Sequence, residues 1–382
     1  MDKHRHKFNY IIKGLISMLS YFIISCSNLV LPEYDKSDSI LCPSIMTRGG
    51  ESLSDGTTFR FLLFHPDLGN YVNSGTYYYN SGSEYLVASD LDDSGVHIQD
   101  NVSAGLNGIN GTYKTVAVSP GLPIINSGQL CGIKTTPNKS VDGTDAGAFF
   151  TSQLETKEFG GYSILSFNSK LIDTRAKIGF SIYRGEGMAQ DISITSISLS
   201  GAGDGTEDGT VYYYPVTRQC AVAESSSDQM TFSPTRISNE NGTYYFKTES
   251  KFITAGIYAP QDITAEILGS TYNIIPKSYL SLNLQYKQGS EDKDVNIILN
   301  ADAARTYAEL KAMNEYNFKI TISSTYINIQ LHVFDHTSSS DWQSTNSDMD
   351  MSFGNDNNMV NIGIINIGNW NNVDYGNQEF IN

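Results

Sequence analysis

Histidine is scarce in this chain: there are six in 382 residues, and two of them, His4 and His6, sit in the basic opening. The other four, His65, His97, His332 and His336, are too scattered for a ligand cluster. His332 and His336 have the spacing of a helical metal pair, but their segment alternates as a strand. Four residues then span about 13 Å, too far to clasp one ion, so no metal is expected. Cysteine is almost as rare: Cys26, Cys42, Cys131 and Cys220, with no CxxC pair. No G-x-S-x-G elbow, Walker loop or GxGxxG fingerprint stands between a strand and a helix. The loop Asp204 to Gly209 resembles the front of a calcium loop, yet Pro215 occupies the position of the closing acid. It reads as an acidic turn. Asp92, Asp93, Asp292 and Asp294 are the carboxylates a glycosidase could pair, and in loops such acids are usually solvated. The chain is therefore read as no enzyme, with no cofactor. Positive charge is also short, with 25 Lys and Arg against 41 Asp and Glu and a net charge of −16. That excludes the basic face a nucleic acid or an anionic lipid surface requires.

There is one long apolar run, from Ile11 to Ile24, broken by Lys13 and preceded by Lys3, Arg5 and Lys7. It is too short to span a bilayer comfortably and reads as a cleaved signal peptide, residues 1–25. It ends in Ile23-Ile24-Ser25-Cys26, which resembles a lipobox, so Cys26 is the expected lipidation site. Acyl chains there add roughly 0.8 kcal/mol of membrane affinity per buried methylene. The expected anchor is the outer membrane, with the protein exposed on the surface. Residues 26–46 read as a lipidated tether. Without the signal the chain is three units more acidic, since Lys3, Arg5, Lys7 and Lys13 leave together with Asp2.

Gly, Tyr, Ser, Asn and Thr are abundant, a mix that suits twisted strands and tight turns. The 24 tyrosines serve as strand formers with one wet edge, or as a sugar-binding platform. Alternation is clean at Ala176, Ile178, Phe180 and Ile182. It recurs at Leu280, Leu282, Leu284 and Tyr286, at Phe318, Ile320 and Ile322, and at Ile327, Ile329, Leu331 and Val333. Period two with one polar face predicts antiparallel sheets covered on one side. Ile192 and Ile194 are out of phase with Ile197 and Leu199, which predicts a bulge. A short helix is expected within residues 301–313. The spacing of strands and turns predicts β-sandwiches, with an N-terminal domain over 47–214 and a C-terminal domain over 215–342. A tail, 343–382, opens with the polar stretch 343–358 and then alternates Val360, Ile362 and Ile364 before Ile365 and Ile367 shift phase. That stretch is either a strand handed to another subunit or the last strand of its own domain. A Cys131–Cys220 disulfide is equally open.

The whole resembles the fimbrillin family, the type V pilins and related surface lipoproteins of Bacteroides-type bacteria. The resemblance rests on the lipobox at Cys26, the segment Met46-Thr47-Arg48-Gly49, and the strands at 171–183 and 192–201. In the second half it rests on those at 279–287, 314–323 and 327–336, leading to Trp342. It implies an all-β fold of two transthyretin-like antiparallel β-sandwich domains in tandem. It also implies a fimbrial subunit or tip adhesin, cut by an Arg-specific protease and assembled with other pilin subunits by strand exchange. On that pattern Arg48 is the cut site and Gly49 the new N-terminus, unless Arg48 only begins the ordered domain. Val360, Ile362, Ile364, Ile365 and Ile367 would be the donor strand. A host or bacterial surface ligand would be the adhesive target. The alternative is a monomeric outer-membrane surface lipoprotein that binds glycans.

Overall fold

The computed structural model describes residues 44–45, 54–67, 69–81, 86–88, 106, 109–126, 131–159, 166–167, 171–185, 187–188, 191–203, 211–222, 229–238, 242–258, 280–299, 308–336 and 359–366. Among them every regular element is a strand. The first seven are β1 (Ser44–Ile45), β2 (Thr58–Phe64), β3 (Tyr71–Tyr78), β4 (Val87–Ala88), β5 (Gly111–Ser119), β6 (Ile124–Asn126) and β7 (Cys131–Thr135). Then follow β8 (Ser140–Val141), β9 (Thr144–Asp145), β10 (Phe150–Thr151), β11 (Glu155–Phe159), β12 (Ser166–Phe167), β13 (Ile172–Asp173) and β14 (Arg175–Arg184). Next are β15 (Ile192–Ser200), β16 (Val211–Tyr214), β17 (Gln219–Val222), β18 (Gln229–Phe232), β19 (Pro234–Ser238), β20 (Tyr244–Thr248) and β21 (Lys251–Thr254). The last are β22 (Gly256–Tyr258), β23 (Ser281–Gln288), β24 (Glu291–Ile298), β25 (Ala308–Leu310), β26 (Asn314–Ile322), β27 (Tyr326–Asp335) and β28 (Met359–Asn366).

Four large sheets form two sandwiches. The first sheet runs β13-β10-β5-β2-β3-β4, with β11 also on β5, and the second runs β25-β22-β17-β16-β7-β6. Leu62, Phe64, Val116 and Val118 of the first share a core with Ile133, Val211 and Tyr213 of the second. The third sheet runs β19-β20-β14-β26-β27-β28, with β21 also on β14, and the fourth runs β18-β15-β23-β24. The alternation read from sequence explains this second sandwich. Ala176, Ile178, Phe180 and Ile182 are fully buried, as are Leu282 and Leu284 opposite them. The Phe180 ring meets Phe232 edge-on at 5.0 Å and stacks on Phe318 at 5.8 Å, so one side chain ties three strands together. The expected bulge is present: the β15–β23 register slips between Ile194 and Ser196.

Strand β2 is buried on both faces. Leu62 and Phe64 point into the sandwich, while Phe59, Phe61 and Leu63 lie under Leu86, Leu106, Phe159 and Leu171. The unbroken run Phe61-Leu62-Leu63-Phe64 is the sequence mark of such double burial.

Two expectations are revised. Residues 308–310 of the expected helix form β25, because Ala308 and Leu310 are both buried where β25 pairs with β22; residues 301–307 lie outside the described residues. The division at 214/215 falls inside the β16–β17 hairpin. Strands β14 and β15 precede it in sequence but pair with strands that follow it, so the two sandwiches interleave along the chain. The strand β14 lies parallel to β26, from Lys177 against Glu315 to Arg184 against Ile322. A parallel pair needs a long crossover, and none of its signals is local.

Replacing Phe180 by Ala should cost about 3–5 kcal/mol, the usual range for emptying a packed aromatic site. Urea unfolding measures it, and Lys177→Ala on the opposite face of the same strand should cost far less.

Candidate functional site

Cys26, Arg48, Gly49 and Ile367 lie outside the described residues, as do Asp92, Asp93 and the Asp204 to Gly209 loop apart from its flanks. Of the segments next to the expected cut site and in the tail, two strands are described. Strand β1 precedes Arg48 and pairs in parallel with β12, Ser44 against Ser166 and Ile45 against Phe167. Strand β28 carries Val360, Ile362, Ile364 and Ile365, and pairs antiparallel with β27 at the edge of the third sheet. Val360 stands opposite Leu331 and Ile365 opposite Ile327, both buried positions of β27. The register slips between Ile329 and Gln330, leaving Ile362 as the extra residue. The slip comes two residues before the phase shift read from the sequence, so Val360 and Ile365 share a register face while Ile364 stands opposite Asn328, and the expected set Val360, Ile362 and Ile364 is not one face. In the single chain, then, the tail strand is the last strand of its own sheet.

A groove of about 500 Å³ opens between the first two sheets. Its walls include Leu154, Ile172, Val216, Ile257 and Leu310, and its rim holds Arg218 paired with Glu309 at 3.1 Å. Arg218 sits at the end of the β16–β17 turn in the left-handed region, φ 61°. The strand β13 closes one end of the first sheet and β25 one end of the second, so the groove is flanked by two sheet edges. Leu154 is 37% exposed in its mouth. The chemistry on offer is burial of branched apolar side chains together with backbone hydrogen bonding at the edges. Gly256 makes room at the floor, since a Cβ there would come within 2.5 Å of the Arg218 carbonyl oxygen. Sequence gave no signal of this groove, because its walls come from strand ends and turns far apart in the chain.

The disulfide left open in the sequence is not made. Cys131 on β7 and Cys220 on β17 are both buried, and β16 lies between their strands. Two inter-strand spacings put the thiols about 10 Å apart, beyond the reach of a disulfide. Burial also pushes the Cys220 thiol well above its ordinary range. His332 is buried on β27, and His336 lies 3.6 Å from Glu315. Asp292 and Asp294 lie on the exposed edge strand β24, where Asp294 accepts a hydrogen bond from Asn283 at 2.6 Å. Several tyrosines are core residues rather than a platform. Tyr213, Tyr214, Tyr258 and Tyr286 are buried, and burial pushes Tyr214 and Tyr286 up to about 12.

No protein-family model matches the sequence, and no curated protein matches it. Among solved structures, the chain is similar to the tip fimbrial protein Mfa3 from Porphyromonas gingivalis with C-terminal truncation. The identity is 14% and the TM-score 0.36, over 78% of this chain and 99% of that one. It is also similar to a fimbrial assembly protein from Parabacteroides distasonis ATCC 8503, at 13% identity and TM-score 0.31, over 77% of this chain and 94% of that one.

The buried thiols give a direct check. In native protein both Cys131 and Cys220 should react slowly with a thiol reagent, and under denaturant both should react at once without prior reduction. Reaction only after reduction would mean that the two are bridged.

Proposed function

We propose that the chain is a fimbrial subunit or tip adhesin, exported as a lipoprotein at Cys26 and joined to other subunits by strand exchange at the cell surface. The observation that carries this reading is the contrast between β28 and the other long edge strand. An exposed sheet edge invites pairing, and proteins block it with charge, proline or shortness. The edge strand β24 is eight residues with Glu291, Asp292, Lys293 and Asp294 along it. The edge strand β28 is also eight residues and has no charge and no proline, only apolar residues, Asn and Gly. It follows the polar stretch 343–358, which gives it reach.

The receiving end lies beside β1. Cleavage after Arg48 removes β1 and so frees the side of β12 that β1 occupied. The groove between β13 and β25 offers further apolar burial to an arriving strand. Main-chain hydrogen bonds supply affinity in such an arrangement, and alternate side chains supply register. Cys26 would hold the precursor at the outer membrane until it is cut.

Changing Val360, Ile362 and Ile364 to Asp should abolish fibre formation, while a cooperative urea transition at a lowered midpoint shows that the sandwiches still fold without the β27–β28 pairing. Fibres that still form from this variant would end the donor assignment. The N-terminal residue of protein sheared from cells tests the other half: Gly49 is expected, and a retained acylated Cys26 would mean that no cut occurs.

A further inference from the structure

The third sheet turns Ile178, Phe180 and Ile182 into the core and presents its other face outward. Two rows of residues cross that outer face. In one, Tyr245 of β20, Tyr183 of β14, Thr321 of β26 and Asn328 of β27 stand side by side. In the next, two residues along each strand, stand Lys247, Ser181, Lys319 and Gln330. All but Ser181 are half-buried. Neither row holds a carboxylate, in a chain whose net charge is −16.

The Tyr183 and Tyr245 rings stack at 4.9 Å with their planes 9° apart, so they screen each other's faces and leave edges and hydroxyls to a ligand. Lys319 Nζ lies 5.2 Å from the centroid of the Tyr183 ring. A π face steadies an ammonium group without cancelling its charge. Burial lowers the Lys319 pKa, and an anion beside it would offset that cost. Between the two lysines the floor is low. Ser181 is 1% exposed, and its Oγ donates to Asn317 Oδ1 at 3.1 Å. Two strand spacings set the lysine Cα atoms about 10 Å apart. Two flexible four-carbon stems can therefore bring both ammonium groups to one carboxylate, one to each oxygen. Glu315 of the same face stands four residues from Lys319, about 13 Å along the strand. It already accepts from Ser250 Oγ at 2.6 Å. At physiological salt the Debye length is about 8 Å, so acids elsewhere on the chain are screened from this spot.

We propose that this face binds an acidic saccharide, with Lys247 and Lys319 closing on a uronate carboxylate while Tyr183, Tyr245 and Gln330 meet the sugar hydroxyls. A sheet face offers side chains and no open backbone, so a peptide cannot add to it as a strand. Its hydroxyls and amides pair best with groups that both donate and accept, as sugar hydroxyls do. The site uses neither β28 nor the groove, so its test stands apart from that of strand exchange.

That test is calorimetric titration of the full chain with tetragalacturonate, beside neutral maltotetraose and an acidic peptide, tetraglutamate. Tetragalacturonate should bind, with affinity falling as salt rises. The other two should each bind about tenfold more weakly or worse, since one lacks the charge and the other the hydroxyls. Lys247→Gln with Lys319→Gln should weaken uronate binding about tenfold or more, and Lys247→Arg with Lys319→Arg should restore most of it. A cooperative urea transition checks that the Gln variant is folded. Lys287→Gln, on the outer side of the fourth sheet, should leave binding unchanged. Absence of tetragalacturonate binding, or full binding by the folded Gln variant, would overturn the proposal. Equal binding of tetraglutamate would overturn it in favour of an acidic peptide.

Discussion

Every open sheet ends in two strands whose outer N–H and C=O groups have no partner in that sheet, and the described residues form four large sheets of this kind. How each edge is managed governs the rest of the structure. The strands β4, β6, β13 and β25 are two or three residues long, too short to template much. The strand β19 begins with Pro234, which cannot donate to a ladder, and β24 is lined with charge. The strand β28 has none of these protections. The acidity of the whole chain works in the same direction, since like net charge disfavours chance contact between copies. Together these features leave β28 as the one long edge strand among the described residues that carries neither charge nor proline.

What the sequence made legible was periodicity. The inward sets Ile178, Phe180 and Ile182, and Leu282 and Leu284, are read from alternation alone and are buried as expected. The bulge on β15 could be read the same way, because a phase switch in the apolar pattern is the local sign of one extra residue. Interleaving was not legible. Nothing within β14 itself tells that it pairs with β20 and β21 on one side and with β26, far down the chain, on the other. Nor was the clustering of carboxylates around Arg175. Arg175 and Asp173 are two residues apart in an ordinary strand pattern, and only the fold brings Asp145 to them.

Interleaving also constrains how the chain folds. The second sheet takes β7 from the early chain, β16 and β17 from the middle, and β25 from late in it. The third sheet needs β14 and β26 together before either flank is useful. Contacts of such sequence separation must pay loop-closure entropy first, which slows folding and leaves strand edges open for longer. A chain of this kind gains from edges that are charged or short while the sheets are incomplete.

Under strand exchange, the monomer's own pairing of β28 with β27 becomes the competitor of assembly. That pairing is intramolecular, with an effective concentration in the millimolar range for a short linker, well above any plausible concentration of free subunits. Exchange therefore needs a donor–acceptor pairing better than β28 on β27 by more than that difference. Each added 100 Å² of apolar burial contributes about 2.5 kcal/mol, so a few branched side chains settled in a groove are enough. The bulge at Ile362 matters here, since it interrupts the β27 ladder where an uninterrupted register elsewhere would not. An imperfect home pairing lowers the cost of leaving it. In the single chain it also covers the edge of β27.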